Sequence, residues 1–273
     1  MKNRYLILLL NFFLAGCINK SQSQDTVPVH DSFKINSKQV GEIRTINVWT
    51  PPGYSQNTDS LPVMYMPDGG IQEDFTHIAN TIAELIKNKS IPPIILAGIE
   101  NTQRRRDLTG QTEVEEDKKI APLVGGSDKF SAFITEELFP EIDKRYRTTN
   151  KKGIIGESLA GLFIVETFLT NPGMFDYYIA MDPSLWWNNH YLVRNAKDLL
   201  SKFPATEKRF WFAGSKAKDI SAYTNDLAKT LGSEKNSHII WKYSNEPKEK
   251  HTTIYRATKE KALIWVFNTK KNE

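Results

Sequence analysis

Cysteine is almost absent from this chain. Its 273 residues hold one, Cys17, so an intramolecular disulfide is excluded. Charge of one sign is scarce as well. Lys and Arg outnumber Asp and Glu by 36 to 32, a formal net charge of +4. Loss of a leader carrying Lys2 and Arg4 would leave +4 − 2 = +2, too little to mark a nucleic-acid partner. The apolar run from Tyr5 to Ala15 is too short to cross a bilayer comfortably. No internal repeat and no low-complexity stretch occurs, which excludes solenoid and fibrous architectures. What remains is ordinary globular composition, 40% hydrophobic and 25% charged, long enough for one large domain with a sizeable core.

The amino terminus has its own pattern. "MKNRYLILLLNFFLAGC" places the basic residues Lys2 and Arg4 before the short apolar run, which ends in Leu14-Ala15-Gly16-Cys17. That order of charge, apolar stretch, small residues and cysteine resembles a bacterial lipobox, so residues 1–16 read as a signal peptide and Cys17 as the site of lipidation. The polar, aperiodic stretch Ile18–Ser32 reads as a tether with a reach of roughly 20 Å, leaving 33–273 as the catalytic domain. An exported lipoprotein of the cell envelope, anchored to a membrane through Cys17, is the expected location.

Beyond the tether, strand and helix patterns alternate. "RTINVWTPPGY", "LPVMYMPDGG", "PPIILAGIE", "YYIAMDPS", "RFWFAGS" and "SHIIWKYS" read as strands. "EDFTHIANTIAELIKNK" has helical spacing, with Phe75, Ile78, Ile82 and Ile86 on one face, and "KFSAFITEELFPEIDKRY" reads as a helix interrupted at Pro140. "HYLVRNAKDLLSKF", "SAYTNDLAKTL" and "TTIYRATKEKALIWVFN" supply three more helices. Helices between strands imply crossover connections and a mostly parallel sheet covered on both faces, without a large cap domain. The long connection Asn101–Asp128 is of the length that usually carries function or mobility.

Between Lys151 and Leu169 the chain reads "KKGIIGESLAGLFIVETFL". A probable strand runs into small residues around Ser158 and leaves as a probable helix. A serine hydroxyl is a weak nucleophile unless a base takes its proton, and it must protrude from the turn. A sharp strand-to-helix turn achieves that and demands small neighbours, here Gly156 and Ala160. The helix opening at Leu159 has unpartnered amides and the positive end of its dipole beside the serine. The Leu159 amide therefore suits an oxyanion, and the Gly70 amide, after another strand, is the expected second donor.

In this architecture the acid and then the histidine follow the serine. His238 sits in a strand pattern and His190 opens a helix, whereas His251 lies in a loop after the last strand, so His251 is the expected base. Asp219, after "RFWFAGS", is the preferred acid. Asp182, Glu246 and Glu249 stay open as rivals, as does the absence of any acid. No metal or cofactor is expected.

These pieces together resemble the putative-esterase branch of the α/β-hydrolase superfamily, which includes enterobactin-type siderophore esterases and esterase D. The matching segments are "LPVMYMPDGG", "PPIILAGIEN" with "RRRDLT", "FITEELFPEIDKRYRT", "GESLAGLF", "DPSLWW" and "KHTTIY", in order from about Val48 to the carboxyl terminus. The resemblance implies an α/β-hydrolase fold, Ser158 as nucleophile, His251 as base, the amides of Gly70 and Leu159 as oxyanion donors, and Asp219 as acid. "GIEN…RRRDLT" and "PSLWW" lie closest to the siderophore-esterase side. Ala160 stands where glycine is commoner, and "KHTTIY" replaces a more usual His-Gly-Ser run.

Substrate signals are softer. Arg105 and Arg106, with Arg104 in the same loop, would attract an anionic ester, or else they are solvated and paired with Asp107 and nearby glutamates. Trp186 and Trp187 would stack on an aromatic or sugar group, or pack. The leading expectation is a serine hydrolase cleaving carboxylic esters of siderophore, acyl or feruloyl type through an acyl-enzyme. An acyltransferase with a sugar or lipid hydroxyl acceptor and a non-catalytic surface binding protein are the alternatives.

Overall fold

The computed structural model describes residues 25–268. Residues 1–16, Cys17 and the first part of the expected tether, through residue 24, lie outside the described residues. Eight strands form one sheet: β1 (Asp31–Asn36), β2 (Ile43–Trp49), β3 (Leu61–Pro67), β4 (Ile95–Ile99), β5 (Thr148–Glu157), β6 (Tyr177–Met181), β7 (Lys208–Ser215) and β8 (Ile239–Glu246). Their order is β1-β2-β4-β3-β5-β6-β7-β8. β1 and β2 pair antiparallel at one edge, and β4 through β8 run parallel. The mostly parallel sheet expected from the alternation is what forms.

The helices are α1 (Phe75–Lys87), α2 (Arg104–Asp107), α3 (Glu115–Ile120), α4 (Ser127–Ala132), α5 (Phe139–Arg145), α6 (Leu159–Thr170), α7 (Trp187–Leu200), α8 (Lys218–Glu234) and α9 (Ile254–Phe267). Alternate strand residues supply two cores, because successive side chains point to opposite faces. Tyr65, Ile154 and Phe212 join the aromatic core with Phe163 and Phe168 of α6. Met64, Ile155 and Trp211 pack on Phe75 and Ile78 of α1 and Leu263 of α9. β3, β4, β6 and β7 are buried on both faces almost throughout, hence the apolar runs in their sequences.

Three expectations change. The helix thought to break at Pro140 runs on from Ser127 to Arg145, with a π-helical stretch over Phe133–Leu138. Pro140 comes just after the π-helical stretch, whose wider turn accommodates a residue that has no N–H. The boundary at residue 32 moves, since Asp31 and Ser32 pair with Val48 and Asn47 in β1. Ahead of them, the Thr26 carbonyl accepts from Asn80 Nδ2 at 2.9 Å, and Asp25 pairs with Arg256 at 2.8 Å. The long connection contains α2 and α3.

Candidate active site

β5 lies in the middle of the sheet, and its end turns abruptly into α6. Ser158 occupies that turn with φ 61° and ψ −119°, a strained conformation for a residue with a Cβ. Backbone hydrogen bonds hold it: Ser158 N–H donates to the Met181 carbonyl at 3.0 Å, and Ser184 N–H to the Ser158 carbonyl at 3.1 Å. The approach leaves no room for larger neighbours. A Cβ on Gly156 would stand 2.6 Å from the Ala160 Cβ, and one on Gly161 would stand 3.0 Å from the Met181 carbonyl oxygen.

His251 lies between β8 and α9. Its Nε2 is 3.1 Å from Ser158 Oγ, and its Nδ1 is 2.9 Å from Asp182 Oδ2. Asp182 follows β6 directly, with φ 44°. It is 0% exposed, and its other oxygen accepts the Ser215 N–H at 2.5 Å. An Nδ1–H held by that carboxylate leaves Nε2 free to accept the serine proton. The hydrogen bond to Asp182 raises the His251 pKa above its usual value, burial opposes the rise, and Glu157 and Asp219 add to it from nearby.

Asp219, the preferred acid, is exposed in the first turn of α8 and does not bond His251. The imidazole instead meets the end of the strand next to β5. An aspartate follows each of β6 and β7, and their relation to one imidazole depends on tertiary placement that spacing does not encode. Glu246 is engaged by Ser244 and Lys261, and Glu249 by Thr253. His190 stacks on Tyr223 with ring centroids 4.8 Å apart. His238 precedes β8 rather than lying within it, and is exposed.

The Leu159 amide opens α6 beside Ser158, where helix geometry leaves it without an intrahelical acceptor. The Gly70 amide differs from expectation: it donates to Glu73 Oε2 at 2.6 Å. Glu73 Oε1 accepts from Asn101 Nδ2 at 2.8 Å, and Arg104 forks onto Asp68 at 2.6 and 2.7 Å. Gly70 is thus tied into a charged network around the β3 end, and Leu159 carries the unengaged amide.

The arginines also rearrange. Arg106 pairs with Glu42 and Asp107, and Arg105 donates to the Ile120 carbonyl, so both brace the loop. Arg104 turns inward, its Nη2 reaching to 3.5 Å from the Glu157 carbonyl. Trp187 is 5% exposed, with Nε1 donating to the Gly110 carbonyl at 3.1 Å, and Trp186 is partly buried beside it at 5.9 Å between ring centroids. Sequence reasoning passed over Glu157. Its Oε1 is buried without a partner, and burial pushes its carboxyl up to about 7, against the pull of His251. Its place beside Ser158 was the available signal. The Ser184 hydroxyl, 3.5 Å from that of Ser158, was also missed. Among the described residues no group of three or more His, Cys, Asp or Glu side chains could hold a metal ion.

The sequence and the fold have counterparts. A family model described as Putative esterase matches residues 37–260. The ferri-bacillibactin esterase of Bacillus subtilis (strain 168) is 31% identical over 193 residues, which are 64% of this chain and 65% of that protein. Among solved structures, an IroE-like serine hydrolase from Shewanella oneidensis has TM-score 0.79 at 25% identity, over 88% of this chain and 80% of that one. The siderophore hydrolase EstB from Aspergillus nidulans has TM-score 0.75 at 20% identity, over 92% and 98%, a likeness of fold. The sheet and its helices are those of the α/β-hydrolase fold.

Proposed function

The chain belongs to the Putative esterase family, and from that premise we propose that it hydrolyses carboxylic esters through an acyl-enzyme on Ser158. The reading rests on the hydrogen-bonded series Ser158–His251–Asp182, at 3.1 and 2.9 Å. Neutral His251 takes the Ser158 proton at Nε2 as Oγ bonds to the ester carbonyl carbon. The carbonyl oxygen becomes negative beside the Leu159 amide, a contact of the kind that lowers a barrier by ~3–4 kcal/mol. Collapse breaks the carbon–alkoxy bond, and His251 Nε2–H protonates the departing oxygen. Water then attacks the acyl-enzyme, giving its proton to His251. The acyl–Oγ bond breaks, the serine recovers its proton and the acid leaves. Asp182 holds the imidazole in the required tautomer and offsets its charge.

A siderophore-type ester is the proposed substrate class, supported by relatives named for such activity, the ferri-bacillibactin esterase among them. Export and anchoring through a lipid on Cys17 form part of the same proposal, supported by the order of charge, apolar run and small residues before that cysteine. Replacing Cys17 by alanine should release the protein from membranes, whereas unchanged membrane recovery would count against the anchor.

The direct test is Ser158→Ala assayed on a 4-nitrophenyl ester. Turnover should fall by several orders of magnitude, and a fluorophosphonate probe should label the parent protein but not the variant. Equal turnover, or labelling that survives the substitution, would remove the proposal.

A further inference from the structure

One to two turns along α6 from Ser158, outside its proton relay, lies a cavity of about 280 Å³. Leu162 and Glu166 face it from α6, Trp187 and Asn188 from the start of α7, and Gly110 and Asp128 from the long connection and α4. Two of its walls lead back to the nucleophile. Leu162 N–H donates to the Ser158 carbonyl at 2.9 Å. Trp187 N–H donates to the Ser184 carbonyl at 3.1 Å, next to the hydroxyl pair of Ser184 and Ser158. Positions 158, 162 and 166 succeed one another along one side of α6. Glu166 is therefore roughly 12 Å from Ser158 along the helix axis.

Ordinary packing does not explain Glu166. Its Oε2 atom is buried and lacks a hydrogen-bond partner, although the residue as a whole is partly exposed. Its Oε1 lies 2.5 Å from where a Cβ on Gly110 would stand, which puts the carboxyl at the cavity wall. Burial pushes that carboxyl up to about 7, the Ser127 hydroxyl opposes, and Asp128 adds to the rise. A buried carboxyl oxygen without a partner is costly, and its retention calls for a reason. Charge inside the cavity has one sign. Glu166 and Asp128 are its acidic side chains, and no lysine, arginine or histidine lines it.

The rim is strained as well. Asn188, Asn189 and His190 take φ of 48°, 50° and 48°, three left-handed residues in succession. The Asn188 N–H, held by Asp117 Oδ2 at 2.7 Å, fixes that turn against the long connection. Strain of this kind persists where the surroundings over-determine it, and it gathers at ligand clamps.

We infer that this cavity is a specificity subsite receiving a primary ammonium group carried on one arm of the ester, with Glu166 as its counter-ion. The inference rests on Ser158 being the nucleophile, and names what the substrate carries away from the reacting carbonyl. Charge-assisted contact with a carboxylate that is already desolvated favours such a group over an apolar end of the same shape.

The test compares two pairs of esters at pH 8. 4-Nitrophenyl 8-aminooctanoate against 4-nitrophenyl nonanoate places the ammonium on the acyl arm, and 8-aminooctyl acetate against nonyl acetate places it on the alcohol arm. The protein should favour the ammonium member of one pair in kcat/KM. Glu166→Gln should lower kcat/KM for that member roughly tenfold and leave its neutral partner within about twofold. Asp128→Asn should cause a smaller loss of the same selectivity, which keeps the test open should the Glu166 variant fold poorly. At pH 6 the preference should shrink as Glu166 takes a proton, whereas titration of His251 moves both members alike. Equal kcat/KM within both pairs, or a Glu166→Gln loss shared by charged and neutral esters, would overturn the subsite alone. If none of the four esters shows Ser158-dependent turnover, the hydrolase reading falls and the subsite falls with it.

Discussion

His251 is pulled toward its charged form by Asp182 and toward its neutral form by burial, and the aspartate prevails. Catalysis needs the neutral imidazole, so kcat/KM should rise as pH climbs through this raised pKa. Asp182→Asn should cost activity on the order of 10⁴-fold, because the amide no longer holds the tautomer. Asp219→Asn should stay within about twofold, and comparable losses in the two variants would refute the assignment of the acid. Glu157 raises the pKa of His251 by its charge and itself titrates at about 7. The charge of each group therefore shifts the titration of the other. Glu157→Gln should move the acid limb of the pH–kcat/KM profile to lower pH, and an unmoved limb would separate Glu157 from the imidazole.

At the scale of elements, the turn between β5 and α6 sets everything else. Gly156→Ala would drive a methyl to 2.6 Å from the Ala160 Cβ, so strand and helix must part. Overpacking of that order should destabilise by about 1–3 kcal/mol and lower turnover by displacing Ser158. A thermal melt alongside a kcat measurement checks both, and an unchanged pair of values would mean the approach is looser than the distances imply. This turn was readable in sequence because Gly156, Ser158, Ala160 and Gly161 are local to it. His251 was readable from chain order. The choice between Asp182 and Asp219 was not, since each follows a neighbouring strand of one parallel sheet within a few residues. Arg106 read more readily as a brace paired with Asp107 and nearby glutamates than as a ligand, and Glu42, just ahead of β2, is the glutamate it meets. The left-handed turn at Asn188–His190 sits inside a stretch whose periodicity is helical, and only docking of Asp117 reveals why it departs.

Across the whole molecule, stability and activity should follow pH in opposite directions. Glu157 and Glu166 are raised from 4.5 to about 7 in the fold. A carboxyl raised on folding keeps its proton longer than the unfolded chain does, so its ionisation works against the fold as pH climbs. The raised His251 adds in the same sense: its stabilisation is full below the unfolded value of 6.5 and fades as pH rises through the folded one. His77, lowered by burial, acts oppositely but only below 6.5. Between pH 6.5 and 8 the melting temperature should therefore fall by about 5 °C while turnover increases. The double variant Glu157→Gln, Glu166→Gln should flatten that slope, and an equally steep slope would assign the loss elsewhere.

The contact between Asp25 and Arg256 carries a consequence for orientation. Arg256 is in the first turn of α9, five positions past His251, so the described chain begins at the same pole where the catalytic groups gather. Cys17 precedes Asp25 by only eight positions. A leash fastened there would turn the mouth of the enzyme toward the surface that holds it, and the esters it meets first would be those arriving along that surface.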